Sequence, residues 1–171
     1  MNHLNPGAGL AIRRMTDEDI ERVVAIASAL PTAPQWPRAN YETAIATGDG
    51  VRRIALVGEY ASDLVGFVVA SVIPPQGEIE SIAVEVKAQG YGFGASLLLA
   101  VLQELKLAGA AEIDLEMRAS SAHGMAGRIY QRAGFLEVGM RRRYYHNPVE
   151  DALLLRLRIV ESPELKLLEE I

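Results

Sequence analysis

A chain of 171 residues, half of them hydrophobic, has the length for one well-buried domain and too little for two. Its net charge of −5 leaves no basic footprint for a phosphate backbone, so nucleic acid is not an expected ligand. With no cysteine there can be no disulfide, thiolate metal site or cysteine nucleophile, and no metal is expected.

The start, MNHLNPGAGLAIRR, lacks the apolar core of a signal peptide, and the apolar runs at 64–73 and 97–102 are too short to cross a bilayer. A cytoplasmic protein without membrane contact is therefore expected, as a monomer or a homodimer. Residues 10–14 alternate and predict a short strand. Thr16, followed by Asp17, Glu18 and Asp19, caps a helix carrying Ile20, Val23, Val24, Ala27 and Leu30 on one face. PTAPQWP breaks that helix, a second short one is predicted over 40–47, and TGDG ends it. Three strands follow over 53–60, 64–73 and 77–84, and their short polar links make them an antiparallel meander. Residues 92–108 carry Leu98, Val101, Leu102, Leu105 and Ala108 at helical spacing and predict a helix buried on one side. A strand over 111–117, a helix over about 121–132 stopped by Gly134, and strands over 135–141 and 152–158 complete the pattern. The domain is expected to span 1–171, with a core over about 10–158 and residues 159–171 as a tail.

Glycines 90, 92 and 94 stand at the mouth of the long helix, where bare N–H groups and the helix dipole suit an anion. A Walker loop is excluded, because no Lys-Ser/Thr pair ends the run. Gly90, Gly92 and Ala95 satisfy a dinucleotide G-x-G-x-x-G/A spacing, with Glu112, Asp114 and Glu116 about 20 residues further on. Yet the loop follows an antiparallel meander instead of opening a parallel sheet. Gln89, Gly92 and Gly94 read instead as Q-x-x-G-x-G, with SIAV (81–84) just upstream.

This last pattern resembles the coenzyme A loop of the GNAT superfamily of N-acetyltransferases. IYQRAGF (129–135) is similar to that family's LYxxxGF signature. LEMRAS (115–120) and MRRRYYHNPVEDALLL (140–155) resemble the bacterial ribosomal-protein alanine N-acetyltransferases. The resemblance implies a mixed α/β fold with a largely antiparallel sheet of six to seven strands and four helices. It implies acetyl-CoA as acyl donor, held by Ile82, Ala83, Val84, Gln89, Gly90, Tyr91, Gly92, Phe93, Gly94 and Ala95. In the family an asparagine sits seven residues before the signature tyrosine; here that position is His123, in a loop about two residues longer. Tyr130 is implied as general acid and Glu116 as general base, with Glu78, the base position of histone-type relatives, as the competing choice.

Read without the resemblance, Tyr130 is a half-buried helix tyrosine bonded locally, and Glu116 one more acid on a solvated strand face beside Glu112 and Asp114. Arg141, Arg142 and Arg143 read as a solvated strand, and His3 and His146 carry no signal. The implied activity is acetyl transfer to the α-amine of a peptide or protein N-terminus, in a slot between the PQWP loop and the RRYYHNP turn lined by Trp36, Tyr144 and Tyr145. The alternatives are transfer to a small amine or a lysine, and a module that binds acyl-CoA without turnover.

Overall fold

The structure is a computed structural model describing residues 9–48 and 50–159; His3 and the expected tail beyond Ile159 lie outside the described residues. Its elements are β1 (Ala11–Arg14), α1 (Ile20–Ser28), α2 (Arg38–Ile45), β2 (Arg52–Tyr60), β3 (Asp63–Ile73), β4 (Gln76–Val84), α3 (Phe93–Leu107), β5 (Glu112–Arg118), α4 (Met125–Arg132), β6 (Leu136–His146) and β7 (Val149–Arg158). The strands make one seven-stranded sheet in the order β1-β2-β3-β4-β5-β7-β6. Each pairing is antiparallel except that of β4 with β5, which joins only residues 76–79 to 112–115. Past Ile79 and Leu115 the two strands part.

Alternation along the strands sends apolar side chains to two cores, one on each face of the sheet. Ile54, Leu56, Val68, Ala70, Ile113 and Leu115 pack against Leu97, Leu98, Val101 and Leu105 of α3. On the other face Ala55, Val57, Phe67 and Val69 meet Ile20, Val23, Ile26 and Ala27 of α1 and Tyr41 of α2. β4 changes allegiance midway. Val69 pairs with Ser81 and Ala70 with Ile79, so Glu80 is an extra residue in β4, a β-bulge. Before it Ile79 faces α3; after it Ile82 and Val84 do, and Ala83 joins the opposite core.

Several boundaries move for physical reasons. The first helix buries Ile26, with Val24 only half-buried, and stops before Leu30, preceded by a 3₁₀ turn in which Asp19 accepts the Thr16 N–H at 2.8 Å. α2 begins at Arg38, directly after Pro37, the N-cap residue, whose backbone is still extended. Residues 119–121 form a separate 3₁₀ turn, so α4 starts only at Met125. The segment MRRRYYHNPVE is a hairpin: β6 runs on to His146 and β7 begins at Val149, which extends both predicted strands. No helix among the described residues is long and apolar enough to cross a membrane.

Candidate active site

The gap where β4 leaves β5 opens into a cavity of about 840 Å³. It is walled by residues 78–84 of β4, the glycine loop, the end of β5, Tyr130 of α4, the α1–α2 loop with Trp36, and Tyr144 and Tyr145 of β6.

The glycine loop is built on positive φ. Gly90 has φ 86° and Gly92 φ 82°, the left-handed region where a side chain is strained. Gln89 stitches the loop to the strand before it, its Nε2 donating to the Val84 carbonyl at 3.0 Å. After that stitch, the N–H groups of Gly90, Tyr91, Gly92, Phe93, Gly94 and Ala95 donate to no backbone or side-chain acceptor among the described residues. Gly90, Gly92, Phe93 and Gly94 border the cavity, as do Ile82, Ala83 and Val84. Three other residues implied to hold coenzyme, Tyr91, Ala95 and His123, lie outside its walls. Tyr91 is exposed and stacks on Phe93 at 5.8 Å, and exposed His123 offers its carbonyl to Arg128.

Tyr130 is buried, 8% exposed, at the α3 side of the cavity. Burial and then the nearby Tyr145 phenol push its proton loss up to about 12. It packs edge-on to Phe135 at 5.8 Å, so the AGF turn that follows α4 also sets its ring. Glu116 and Glu78 sit on the α1–α2 face of neighbouring strands, and both border the cavity. Glu116 is ion-paired with Arg141 at 3.3 Å. Glu78 remains solvent-exposed, yet partial desolvation and then the carboxylates of Glu80, Glu116 and Asp114 raise its proton affinity above the ordinary range, against the pull of Arg141.

The aromatic end of the cavity depends on an irregular stretch of β6. Arg141 pairs with Ala152 but Tyr145 pairs with Glu150, which leaves two additional residues in β6. In a regular strand Tyr144 and Tyr145 would point to opposite faces; this irregularity brings both to the cavity. Arg143 takes the strain at φ 51°, and Asp151 accepts its N–H at 2.8 Å. The two tyrosine rings meet edge to face at 5.2 Å. The Glu116 carboxylate beside the Tyr144 hydroxyl raises that group's proton affinity. Two residues here escaped the sequence reading. Arg118 lies over the Tyr145 ring at 4.2 Å and pairs with Glu150 at 3.2 Å, and Glu150 also accepts the Ser120 N–H at 2.6 Å. Arg118 shares strand parity with Glu116, a signal that places both on one face.

The acetyltransferase (GNAT) family model matches residues 15–135 of this chain. The chain belongs to the GNAT family. Among curated GNAT relatives, the [ribosomal protein bS18]-alanine N-acetyltransferase of Escherichia coli K12 is 32% identical over 120 residues, 69% of this chain and 80% of that one. A putative enzyme of the same name from Bacillus subtilis is 26% identical over 151 residues, 88% of this chain and 97% of its own. Among solved structures, the ribosomal-protein-S18-alanine N-acetyltransferase from Escherichia coli superposes with a TM-score of 0.75 at 26% identity, covering 91% of this chain and 97% of that one. Ard1 from Thermoplasma volcanium gives a TM-score of 0.76 at 24% identity, covering 90% and 100%, which speaks to the fold alone. The mixed sheet with one short parallel pairing is thus the GNAT fold, and the chain is an N-acetyltransferase.

Proposed function

We propose that this GNAT enzyme transfers the acetyl group of acetyl-CoA to the α-amine of a peptide or protein N-terminus. The observation that carries the reading is the parting of β4 from β5 beside a run of unused N–H groups at the mouth of α3. Bare amides at a helix start suit a diphosphate. Packing alone does not demand glycine at 94, since an added Cβ would meet Ile129 Cδ1 at an ordinary 3.5 Å; a ligand approaching the backbone does. Residues 82–84 of β4, freed from β5, offer main-chain groups to a pantetheine arm. Gln89, whose side chain bonds Val84, shapes the loop and also borders the cavity, where it remains a coenzyme contact.

Acetyl-CoA supplies the activated acyl group. The residues then need to handle two protons. Glu116, with Glu78 as the second carboxylate on the same face, takes a proton from the incoming ammonium; Tyr130 gives one to the departing thiolate and is reprotonated by the second proton that the acceptor nitrogen sheds as the amide forms. Tyr130 keeps its proton until the thiolate forms, because its affinity for it is high.

Ionisation favours an α-amine as acceptor. With a pKa near 8 roughly a tenth of it is neutral at pH 7, against about four parts in ten thousand for lysine, a difference of about 3 kcal/mol. The likeness to alanine N-acetyltransferases points the same way. Trp36, Tyr144 and Tyr145 would flank the acceptor's first residue. The test is thiol release from acetyl-CoA with three acceptors: an alanine-initiated peptide, an N-terminally blocked lysine peptide and a small amine. Highest kcat/KM on the free N-terminus is expected. A preference for the blocked lysine peptide or the small amine would overturn the acceptor, and tight coenzyme A binding with no thiol release from any acceptor would make the chain a binding module.

A further inference from the structure

Two hydroxyls beneath the cavity have no partner among the described residues. Tyr41 of α2 is fully buried, Ser81 of β4 is 3% exposed, and neither Tyr41 Oη nor Ser81 Oγ makes a hydrogen bond. Burial pushes the Tyr41 phenol up to about 12 while the neighbouring Ser81 hydroxyl opposes it. Phenylalanine would fill the same space, for Tyr41 packs edge-on to Phe67 at 5.8 Å and tilted against Trp36 at 5.3 Å. An unpaired buried hydroxyl costs about 1–3 kcal/mol. Packing therefore does not account for the oxygen.

Its position suggests what does. Ser81 borders the cavity two residues beyond Ile79, where the pairing of β4 with β5 ends. The bulge at Glu80 turns its side chain to the α1–α2 face, the face of Glu116 and Trp36, while Tyr130 belongs to the core on the other. The acceptor side of the reaction lies here, not the thiol side. The proton count is also informative. If Tyr41, sealed from solvent, gives its O–H to the neighbouring Ser81 Oγ, the pair keeps one spare donor, the Ser81 O–H. For that donor to serve a ligand it must turn about χ1 toward the cavity that Ser81 borders. A donor seeks an acceptor oxygen.

We propose that Tyr41 and Ser81 are positioning residues for the acceptor, with Ser81 Oγ donating to the main-chain carbonyl of the acceptor's first residue. That carbonyl stands beside the reacting nitrogen in every peptide N-terminus and is missing beside a lysine ε-amine or in an alkylamine. The pair thereby selects α-aminoacyl acceptors, an inference that rests on the N-terminal reading above.

The experiment compares wild type, Tyr41→Phe, Ser81→Ala and the double variant on an alanine-initiated peptide and on propan-2-amine, at saturating acetyl-CoA. Each single substitution should lower kcat/KM for the peptide about tenfold through KM, the worth of one hydrogen bond. The double variant should lose no more than either single one, and the amine rates and the KM for acetyl-CoA should not move. Tyr41→Phe should melt at or above the wild-type temperature, since it removes an orphan oxygen. Wild-type peptide kinetics in the variants, or an equal loss on both acceptors, would overturn the pair's role and leave the N-terminal reading standing. A wild-type enzyme that acetylates the amine and not the peptide would overturn that reading and the pair's role with it.

Discussion

Asp19 and Tyr130 are both buried and ionisable, and their surroundings drive them in opposite directions. Asp19 accepts two hydrogen bonds from Arg13, at 2.7 and 2.8 Å, which hold its carboxyl below the ordinary range, helped by the Thr16 N–H. Its contribution to stability is complete above the unfolded carboxylate's pKa of about 3.9 and is lost as pH falls through the lower folded value. Asp19→Asn is therefore expected to cost about 2 kcal/mol at pH 7 and to flatten the acid limb of the stability curve in urea titrations. Tyr130 carries its proton to about 12. Tyr130→Phe should lower kcat by roughly 10² to 10⁴ with the KM for acetyl-CoA unchanged, and the wild-type rate should show no alkaline fall due to this group below about pH 11. A variant as fast as wild type would return Tyr130 to a packing role. At this scale the sequence revealed residue types and hid their partners. That Tyr130 and Glu116 would border one cavity was legible through short motifs, whereas the pairing of Arg118 with Glu150 spans 32 positions and has no local signature.

Among the elements, the loop before α4 is held by a close contact with the helix it precedes. A Cβ added at Gly127 would lie 1.9 Å from the Ala122 carbonyl oxygen, so the loop rests directly on the helix backbone. Gly127→Ala must push the loop away or bend α4, at a cost of about 1–3 kcal/mol, and the melting temperature should fall by several degrees. An unchanged melting temperature would mean that the loop gives way freely. Element identity was readable wherever hydrophobic period was strong, as over α3 and the β2–β4 meander. It was less readable in MRRRYYHNPVE, because strongly polar strands at a sheet edge carry little apolar alternation. The Glu80 bulge and the irregularity near Arg143 left no mark in the sequence, since only cross-strand register defines them.

For the molecule as a whole, β4 and β5 share four paired positions, 76–79 with 112–115, and a ligand seated in the gap beyond bridges two halves that the sheet alone joins weakly. Coenzyme A at about 100 times its Kd should add about 2.7 kcal/mol to stability, visible as a rise in melting temperature of roughly 5–10 °C. NAD should give none. The reverse result would revive the G-x-G-x-x-A spacing of Gly90, Gly92 and Ala95 as a dinucleotide site. Fold class followed from a family resemblance carried jointly by the glycine loop after SIAV, by IYQRAGF, by LEMRAS and by MRRRYYHNPVEDALLL, none of which decides it alone.

The single inserted residue at Glu80 sets which face of the sheet every side chain downstream on its strand meets. Excising Glu80 would remove a carboxylate and also roll 81–84 half a turn, sending Ser81 toward Leu97 and Ile82 toward Tyr41. One codon thus keeps the oily lining and the polar lining of the gap between β4 and β5 in phase.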